Sequence, residues 1–180
     1  FLIFWGMISP VRTEATDRKA SFSSHFFIKQ IGAQQGLTNS SITAIHTDSD
    51  GYVWIGTKYL LNKYTNGKLI SYNSEQTGGS YISMLFEESD ETMWVGTESS
   101  LSRYDRETDE FTLISSGRIN CALEYKGKCY FAGKGDIIVY DTKDTGISSI
   151  QTMSSQIIES FVVADNILLF VDRTGMMYFY

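Results

Sequence analysis

The strongest constraint on this chain is that its sequence repeats. Residues 42–64 read ITAIHTDSDGYVWIGTKYLLNKY, and forty positions further along residues 82–104 read ISMLFEESDETMWVGTESSLSRY. Identical residues occupy the aligned positions Ile42/Ile82, Ser49/Ser89, Asp50/Asp90, Trp54/Trp94, Gly56/Gly96, Thr57/Thr97, Leu61/Leu101 and Tyr64/Tyr104. A period of about 40–45 residues in a strand-rich sequence is typical of β-propeller blades, which stack side by side to bury their faces. The repeat therefore predicts an all-β fold built from propeller blades.

Turn signals divide each copy of the repeat into four short antiparallel strands. In the first copy, Asp50-Gly51 and Asn66-Gly67 are dipeptides that supply the positive φ angles of tight hairpins. We therefore predict a first four-stranded blade over residues 42–73 and a second over residues 82–115.

Two weaker copies predict further blades. The third covers residues 119–151, and a fourth, incomplete blade over residues 157–180 stops one strand short, which gives about four blades in all. In the third copy we align Phe131 with Trp94 and Gly133 with Gly96, and in the fourth copy Phe170 takes the aromatic position.

A segment before the first blade is a candidate for the missing strand. Residues 22–31, which include SSHFFIKQI, resemble a displaced outer strand. Because a closed ring leaves no exposed sheet edge, we predict that this segment pairs with the last blade as a closing strand. The count of blades leaves two architectures open: a small four-bladed ring, or the first arc of a larger ring.

The first residues are predicted to be a targeting segment. Phe1–Val11 is an apolar run, and residues 12–24 are polar and rich in small side chains. This order is typical of the apolar core and cleavage zone of a secretory signal, and the run is too short to span a bilayer comfortably. We therefore expect residues 1–20 to be a signal-peptide remnant with its cleavage region, and residues 21–180 to function outside the cytoplasm, in the periplasm of a Gram-negative source.

Composition and charge limit the partners. The chain has 11 Tyr, 11 Phe and a single Pro, which favours strands, and its formal net charge is −6 at pH 7. A nucleic-acid groove needs clustered Lys and Arg, and the sequence has no such stripe. We therefore expect no nucleic-acid partner.

The repeated residues are predicted to be structural. Large indole rings at Trp54 and Trp94 suit packing between blades, and the glycines that follow them allow close backbone approach. The structural signature of the repeat comprises Trp54, Gly56, Thr57, Tyr64, Trp94, Gly96, Thr97 and Tyr104.

The segments VWIGTKYLLNKY and MWVGTESSLSRYD, each preceded by an S-D-G or S-D-E turn, resemble the two-component regulator propeller repeat. That repeat is found in hybrid two-component sensors of gut Bacteroides. The resemblance implies a periplasmic sensor domain that perceives oligosaccharides and signals to a histidine kinase, in a receptor anchored in the inner membrane. It also implies a receptor homodimer and further blades, since the family's propellers have seven.

No residue pattern predicts catalysis, a cofactor or a metal site. The positions of His25 and His46 in the sequence do not predict a Ser-His-Asp triad. Asp48-x-Asp50 matches the start of a calcium loop, but Tyr59 stands where that loop needs its Glu. We therefore expect no catalytic residue, no cofactor and no metal ligand.

The two cysteines lie in one predicted hairpin. In its register Cys129 lies opposite Glu124 and Cys121 opposite Ala132, which disfavours direct pairing of the thiols. The sequence leaves open whether they pair.

A sugar site needs exposed aromatic rings with polar partners. Tyr52, Tyr59, Tyr81 and Arg103 lie in or beside loops and are the candidates, although packing or solvation is the better explanation of each one taken singly. The family resemblance therefore implies a glycan-sensing propeller, and we expect that it is not an enzyme. The alternatives are a secreted propeller enzyme, such as a polysaccharide lyase or hydrolase, and a scaffold that binds proteins.

Overall fold

A computed structural model describes residues 30–152 and 155–180. The predicted signal remnant and nearly all of the predicted closing strand lie outside these residues. Before the first sheet, Ala33–Gln35 forms a 3₁₀ turn. No helix among the described residues is long and apolar enough to cross a membrane.

The first two blades are four-stranded antiparallel sheets in which consecutive strands pair. Blade 1 consists of β1 (Ile42–Thr47), β2 (Val53–Thr57), β3 (Leu61–Thr65) and β4 (Lys68–Tyr72). A short helix, α1 (Ser74–Thr77), leads to blade 2, which consists of β5 (Ile82–Glu87), β6 (Met93–Thr97), β7 (Ser100–Asp105) and β8 (Glu110–Ser116). The predicted turn at Asn66-Gly67 is present, with positive φ at both residues.

The third and fourth blades continue the pattern. Blade 3 consists of β9 (Ile119–Tyr125), β10 (Lys128–Gly133), β11 (Ile137–Asp141) and β12 (Ile147–Ile150). Among the described residues, blade 4 has three strands, β13 (Ile158–Ala164), β14 (Ile167–Asp172) and β15 (Met177–Phe179). The predicted all-β fold of antiparallel propeller blades is confirmed.

Consecutive blades bury their faces against one another. Among the described residues the buried side chains form three clusters, between blades 1 and 2, blades 2 and 3, and blades 3 and 4. The two repeat tryptophans are fully buried, and each packs edge-on against a tyrosine of the next blade: the ring centroids of Trp54 and Tyr104 lie 4.8 Å apart, and those of Trp94 and Tyr140 lie 4.9 Å apart. The repeat therefore encodes the contact between blades.

Polar contacts reinforce the same interfaces. The backbone amide and hydroxyl of Ser49 donate to Glu87 of blade 2, and those of Ser89 donate in the same way to Glu124 of blade 3. The hydroxyl of Thr43 donates to the carbonyl of Ile82 across the first interface. Most of these donors are residues that the repeat keeps.

The alignment predicted for the weaker copies was wrong by one residue. Gly133 pairs with Ile119 as Thr97 pairs with Ile82, so Gly133 holds the threonine position rather than that of Gly96. A shift of one residue moves a side chain to the other face of a strand. Phe131 therefore does not replace Trp94; it packs back onto Trp94, with ring centroids 4.7 Å apart.

Phe170 shows the same displacement. It pairs with Phe161 and packs in the cluster shared with blade 3, and Leu169 holds the position of the tryptophans. The aromatic signal fades in these copies because two adjacent positions both face an interface, so an aromatic ring at either one is buried.

Blade 1 has an uncovered face among the described residues. Ile42 is 47% exposed, whereas Ile82, Ile119 and Ile158, which begin the equivalent strands, are at most 3% exposed. Ile45 on the same strand is 69% exposed. These isoleucines show how much of each blade's burial depends on a preceding neighbour.

We predict that Gly133→Ala destabilises the chain by about 1–3 kcal/mol, because a methyl group there overpacks the interface. A Cβ on Gly133 would lie 1.9 Å from the carbonyl oxygen of Arg118, and backbone cannot move aside as a side chain can. Urea unfolding followed by circular dichroism measures the change. Gly32→Ala is the control, since its Cβ would find no heavy atom nearer than 3.7 Å. Equal stability of the two variants would contradict the packing described above.

Candidate functional site

The strands of each blade end at two opposite edges, which carry different connections between strands. One, the hairpin edge, carries the turns 48–52, 66–67, 88–92, 106–109, 126–127, 142–146 and 165–166. The other, the loop edge, carries the links 58–60, 98–99, 134–136 and 173–176 and the connections between blades. The structure does not bring the predicted ligand-binding residues together: Tyr59 and Tyr81 lie at the loop edge, whereas Tyr52 and Arg103 lie towards the hairpin edge.

At the hairpin edge, Lys63 is buried in an aromatic cage. Its ammonium lies 5.0–5.9 Å from the ring centroids of Tyr52, Trp54, Tyr72 and Tyr104. It donates to the hydroxyl of Tyr104 at 2.7 Å and to Oδ1 of Asp109 at 3.0 Å. This network was not predictable from the sequence, because its members come from four strands and two turns of two blades.

Asp109 is the acceptor on which the cage depends. Its Oδ1 also accepts from the hydroxyls of Tyr72 at 2.7 Å and Tyr104 at 2.5 Å. Burial opposes ionisation of this carboxyl, but the bonds from Tyr104, Tyr72 and Lys63 outweigh it and lower its pKa. Burial likewise opposes the charge on Lys63, and the bonds to Tyr104 and Asp109 raise its pKa. The pair is charged at neutral pH and ties blade 1 to blade 2.

Arg103 lines an open cavity of about 310 Å³ at this edge, between the turns of blade 2. Its guanidinium donates to the hydroxyl of Tyr140 at 3.4 Å, the blade 2 counterpart of the bond between Lys63 and Tyr104. The neighbouring Arg106 forms ion pairs with Asp48, Asp50 and Glu87. The cationic groups of this cavity are thus engaged in holding blades together.

The acidic residues of the first turns have structural partners too. The indole N–H of Trp54 donates to Asp48 at 2.7 Å, and that of Trp94 donates to Glu88 at 3.2 Å. Burial raises the pKa of Glu88 above its ordinary value. Among the described residues, no group of three or more His, Cys, Asp or Glu side chains is placed to hold a metal ion.

Both cysteines are free thiols. The predicted register is confirmed: Cys129 pairs with Glu124 and Cys121 with Ala132. Cys129 is fully buried and donates to Glu88 at 3.0 Å. Burial raises the pKa of Cys121 to about 12, so its reactive thiolate form is scarce at neutral pH.

At the loop edge, one hydrogen bond recurs in all four blades. The residue after the second strand donates its backbone N–H to the carbonyl of the residue before the first strand. We call these two residues the rim pair of a blade. The rim pairs are Ser41/Lys58, Tyr81/Glu98, Arg118/Lys134 and Ile157/Arg173, with N···O distances of 3.2, 3.2, 3.2 and 2.8 Å.

The side chains of the rim pairs differ although their backbone geometry is shared. Glu98 folds back to accept from Ser80 and from the amide of Tyr81, and Arg173 forms an ion pair with Glu159 at 2.6 Å. Arg118 and Lys134 line a cavity of about 290 Å³. A fixed backbone with varied exposed side chains is the arrangement in which recognition residues are usually found.

Sequence reasoning found Tyr81 but missed the rest of the rim pairs. Aligning the residues on either side of the first hairpin of each blade would have identified them. The residues that are identical in the two copies mark the core instead, because packing between blades requires the same side chains in each copy.

Residues 36–59 match the family model of the two-component regulator propeller, which confirms for that segment the resemblance seen in the sequence. No curated protein matches the chain significantly.

Solved structures share the fold. The extracellular domain of the hybrid two-component system BT4673 of Bacteroides thetaiotaomicron is 20% identical with a TM-score of 0.69, over 79% of this chain and 21% of that chain. The computationally designed Ika4 protein is 16% identical with a TM-score of 0.61, over 79% and 92%. Virginiamycin B lyase of Staphylococcus aureus is 12% identical with a TM-score of 0.58, over 81% and 57%. The chain spans about 21% of the length of the Bacteroides structure.

We predict that Asp109→Asn lowers the melting temperature at pH 7 and that the gap to the unmodified chain closes in acid. A carboxylate whose pKa is lowered by folding stabilises the fold above its ordinary pKa of 3.8, and the contribution is lost as the pH falls through the lowered value. Thermal melts between pH 7 and about pH 2 measure the gap.

Glu107→Gln is the matched control for this experiment, since Glu107 is exposed in the same turn. Its melting curve should follow that of the unmodified chain across the same pH range. A gap for Asp109→Asn that stays constant with pH would contradict the role given to the carboxylate.

Proposed function

We propose that this chain is part of the ligand-binding propeller of an extracytoplasmic sensor, which recognises glycans and signals to a histidine kinase in a hybrid two-component regulator. The observation that carries the proposal is the match of residues 36–59 to the two-component regulator propeller. It is supported by the fold shared with the extracellular domain of such a system.

The loop edge suits an oligosaccharide better than the hairpin edge does. Tyr59 is 62% exposed, and Tyr81 is half-buried beside the guanidinium of Arg118, 5.9 Å from its ring centroid. Sugars bind where an aromatic surface lies beside a few polar groups that fix orientation. At the hairpin edge, by contrast, Tyr52 and Arg103 contact groups of the blade interfaces.

Signalling in this proposal is a shift between conformations of a receptor dimer, in which bound ligand stabilises one arrangement. The propeller faces the periplasm, and the receptor is anchored in the inner membrane. The kinase lies in other parts of the protein, so the part described here recognises and does not catalyse.

We predict that Tyr59→Ala and Tyr81→Ala each weaken oligosaccharide binding by about threefold to tenfold, the value of one aromatic contact. Calorimetric titration of the chain, and of the ectodomain that contains it, with a panel of plant and host oligosaccharides measures the affinity. Tyr52→Ala is the control, since it removes a tyrosine at the opposite edge. Turnover of a polysaccharide would instead indicate a propeller enzyme, and binding of proteins alone would indicate a scaffold.

The DNA that continues past the codon of Tyr180 gives an independent test. Further blades followed by a membrane helix and a kinase are expected. A stop codon directly after Tyr180 would contradict the proposal.

A further inference from the structure

The rim pair of blade 3 differs from the other three because both of its side chains are cations. Arg118 and Lys134 are neighbours through the hydrogen bond between the Lys134 amide and the Arg118 carbonyl. Gly133 makes this approach possible, since any Cβ there would collide with Arg118. In blades 1, 2 and 4 the cation is absent or single, as in Ser41/Lys58. Two cationic residues thus share one backbone hydrogen bond and line the same cavity, and like charges repel one another.

The bulged residue of the first strand is a neutral amide in blade 3 and a carboxylate in blade 4. In blade 4 the bulge carries Glu159, which pairs with Arg173 at 2.6 Å. In blade 3 the same position carries Asn120, whose Oδ1 accepts from Nε of Arg118 at 2.9 Å. The amide orients the guanidinium as the carboxylate does in blade 4, but it does not neutralise it.

Among the described residues, the cavity is lined by two cations and a single acid, Asp136. Neither Arg118 nor Lys134 forms an ion pair there, although Asp136 lines the same cavity. Most other arginines at the blade edges are engaged: Arg106 pairs with three acids and Arg173 with one. In a chain of net charge −6, two cations beside one acid stand out as an anion site.

The remaining lining groups fit a sugar. Gly117 has open space where a side chain would be, and the other lining residues are Ser115, Ser116, Ser149, Ile119 and Ile138. Hydroxyls and exposed backbone exchange hydrogen bonds with the hydroxyls of a sugar, and a guanidinium fork matches a planar carboxylate. The ring of Tyr81 lies 5.9 Å from the guanidinium of Arg118 and adds an aromatic surface beside it.

We propose that this cavity binds an acidic sugar residue, whose carboxylate or sulfate lies between Arg118 and Lys134. The proposal rests on the glycan-sensing function and names the class of glycan: an anionic oligosaccharide rather than a neutral one. Asn120 is a positioning residue, which holds the guanidinium towards the cavity without cancelling its charge.

The test is calorimetric titration of the chain with trigalacturonate, a carboxylate-free sulfated neocarratetraose, neutral maltotriose and inorganic sulfate. We expect at least one acidic oligosaccharide to bind more tightly than maltotriose and inorganic sulfate, with an affinity that falls as salt is added. Arg118→Gln and Lys134→Gln should each weaken that binding roughly tenfold or more, since a charge-assisted hydrogen bond is lost.

Two further variants separate charge from folding. Asn120→Asp keeps the hydrogen bond to Arg118 and adds the carboxylate that blade 4 has. It should therefore lower the affinity for the acidic probe, as the loss of the Arg118 charge does. Arg173→Gln removes a cation that already has a partner and should leave the affinity unchanged. Melting curves of all four variants verify the fold, and the two acidic probes distinguish carboxylate from sulfate.

The outcomes differ for the two proposals. If maltotriose binds as tightly as the acidic probes, or if Asn120→Asp has no effect, the anionic site is wrong and glycan sensing stands. Equal affinity for inorganic sulfate would mean an anion site without sugar recognition, which also overturns the inference. If no member of the wider oligosaccharide panel binds either, glycan sensing fails with it.

Discussion

Blade-on-blade packing is the constraint on which the rest of the structure depends. A single four-stranded blade has two apolar faces and no core of its own, so only its neighbours remove those faces from water. Trp54 and Trp94 are completely buried because each meets a tyrosine of the next blade. Ile42, which has no preceding blade among the described residues, is 47% exposed. The stability of the chain therefore depends on the interfaces, because each blade is stabilised by the blades next to it.

The same constraint decides which polar groups are free for recognition. Stacked blades bury the indole N–H groups, the ammonium of Lys63 and several carboxylates, and each needs a partner. Asp48, Glu88 and Asp109 supply these partners, and no buried side-chain nitrogen or oxygen among the described residues is left without a hydrogen bond. The hairpin edge is thereby committed to the scaffold. The loop edge keeps one backbone bond per blade and is free to vary its side chains.

Much of the fold was predictable from the sequence, because its cause is local and periodic. The turn dipeptides and the repeat predicted the strands, and the unpaired register of Cys121 and Cys129 followed from the length of one hairpin. Phe131 was misplaced because a strand that is buried on both faces tolerates an aromatic ring on either one. The cage around Lys63 and the pairing of Arg118 with Lys134 were not predictable, since they depend on contacts between residues that are distant in sequence. The predicted ligand-binding residues fell on both edges for the same reason.

The division between a committed scaffold and a free rim is tested most directly by amide chemical shifts during titration with trigalacturonate. We expect the amide signals of Gly117, Arg118, Lys134 and Asp136 to shift with ligand concentration, while the indole N–H signals of Trp54 and Trp94 keep their positions. Shifts centred on the hairpin edge around Arg103 and Arg106 would contradict this division. Shifts of the indole signals at a lower ligand concentration than those of the loop edge would contradict it too.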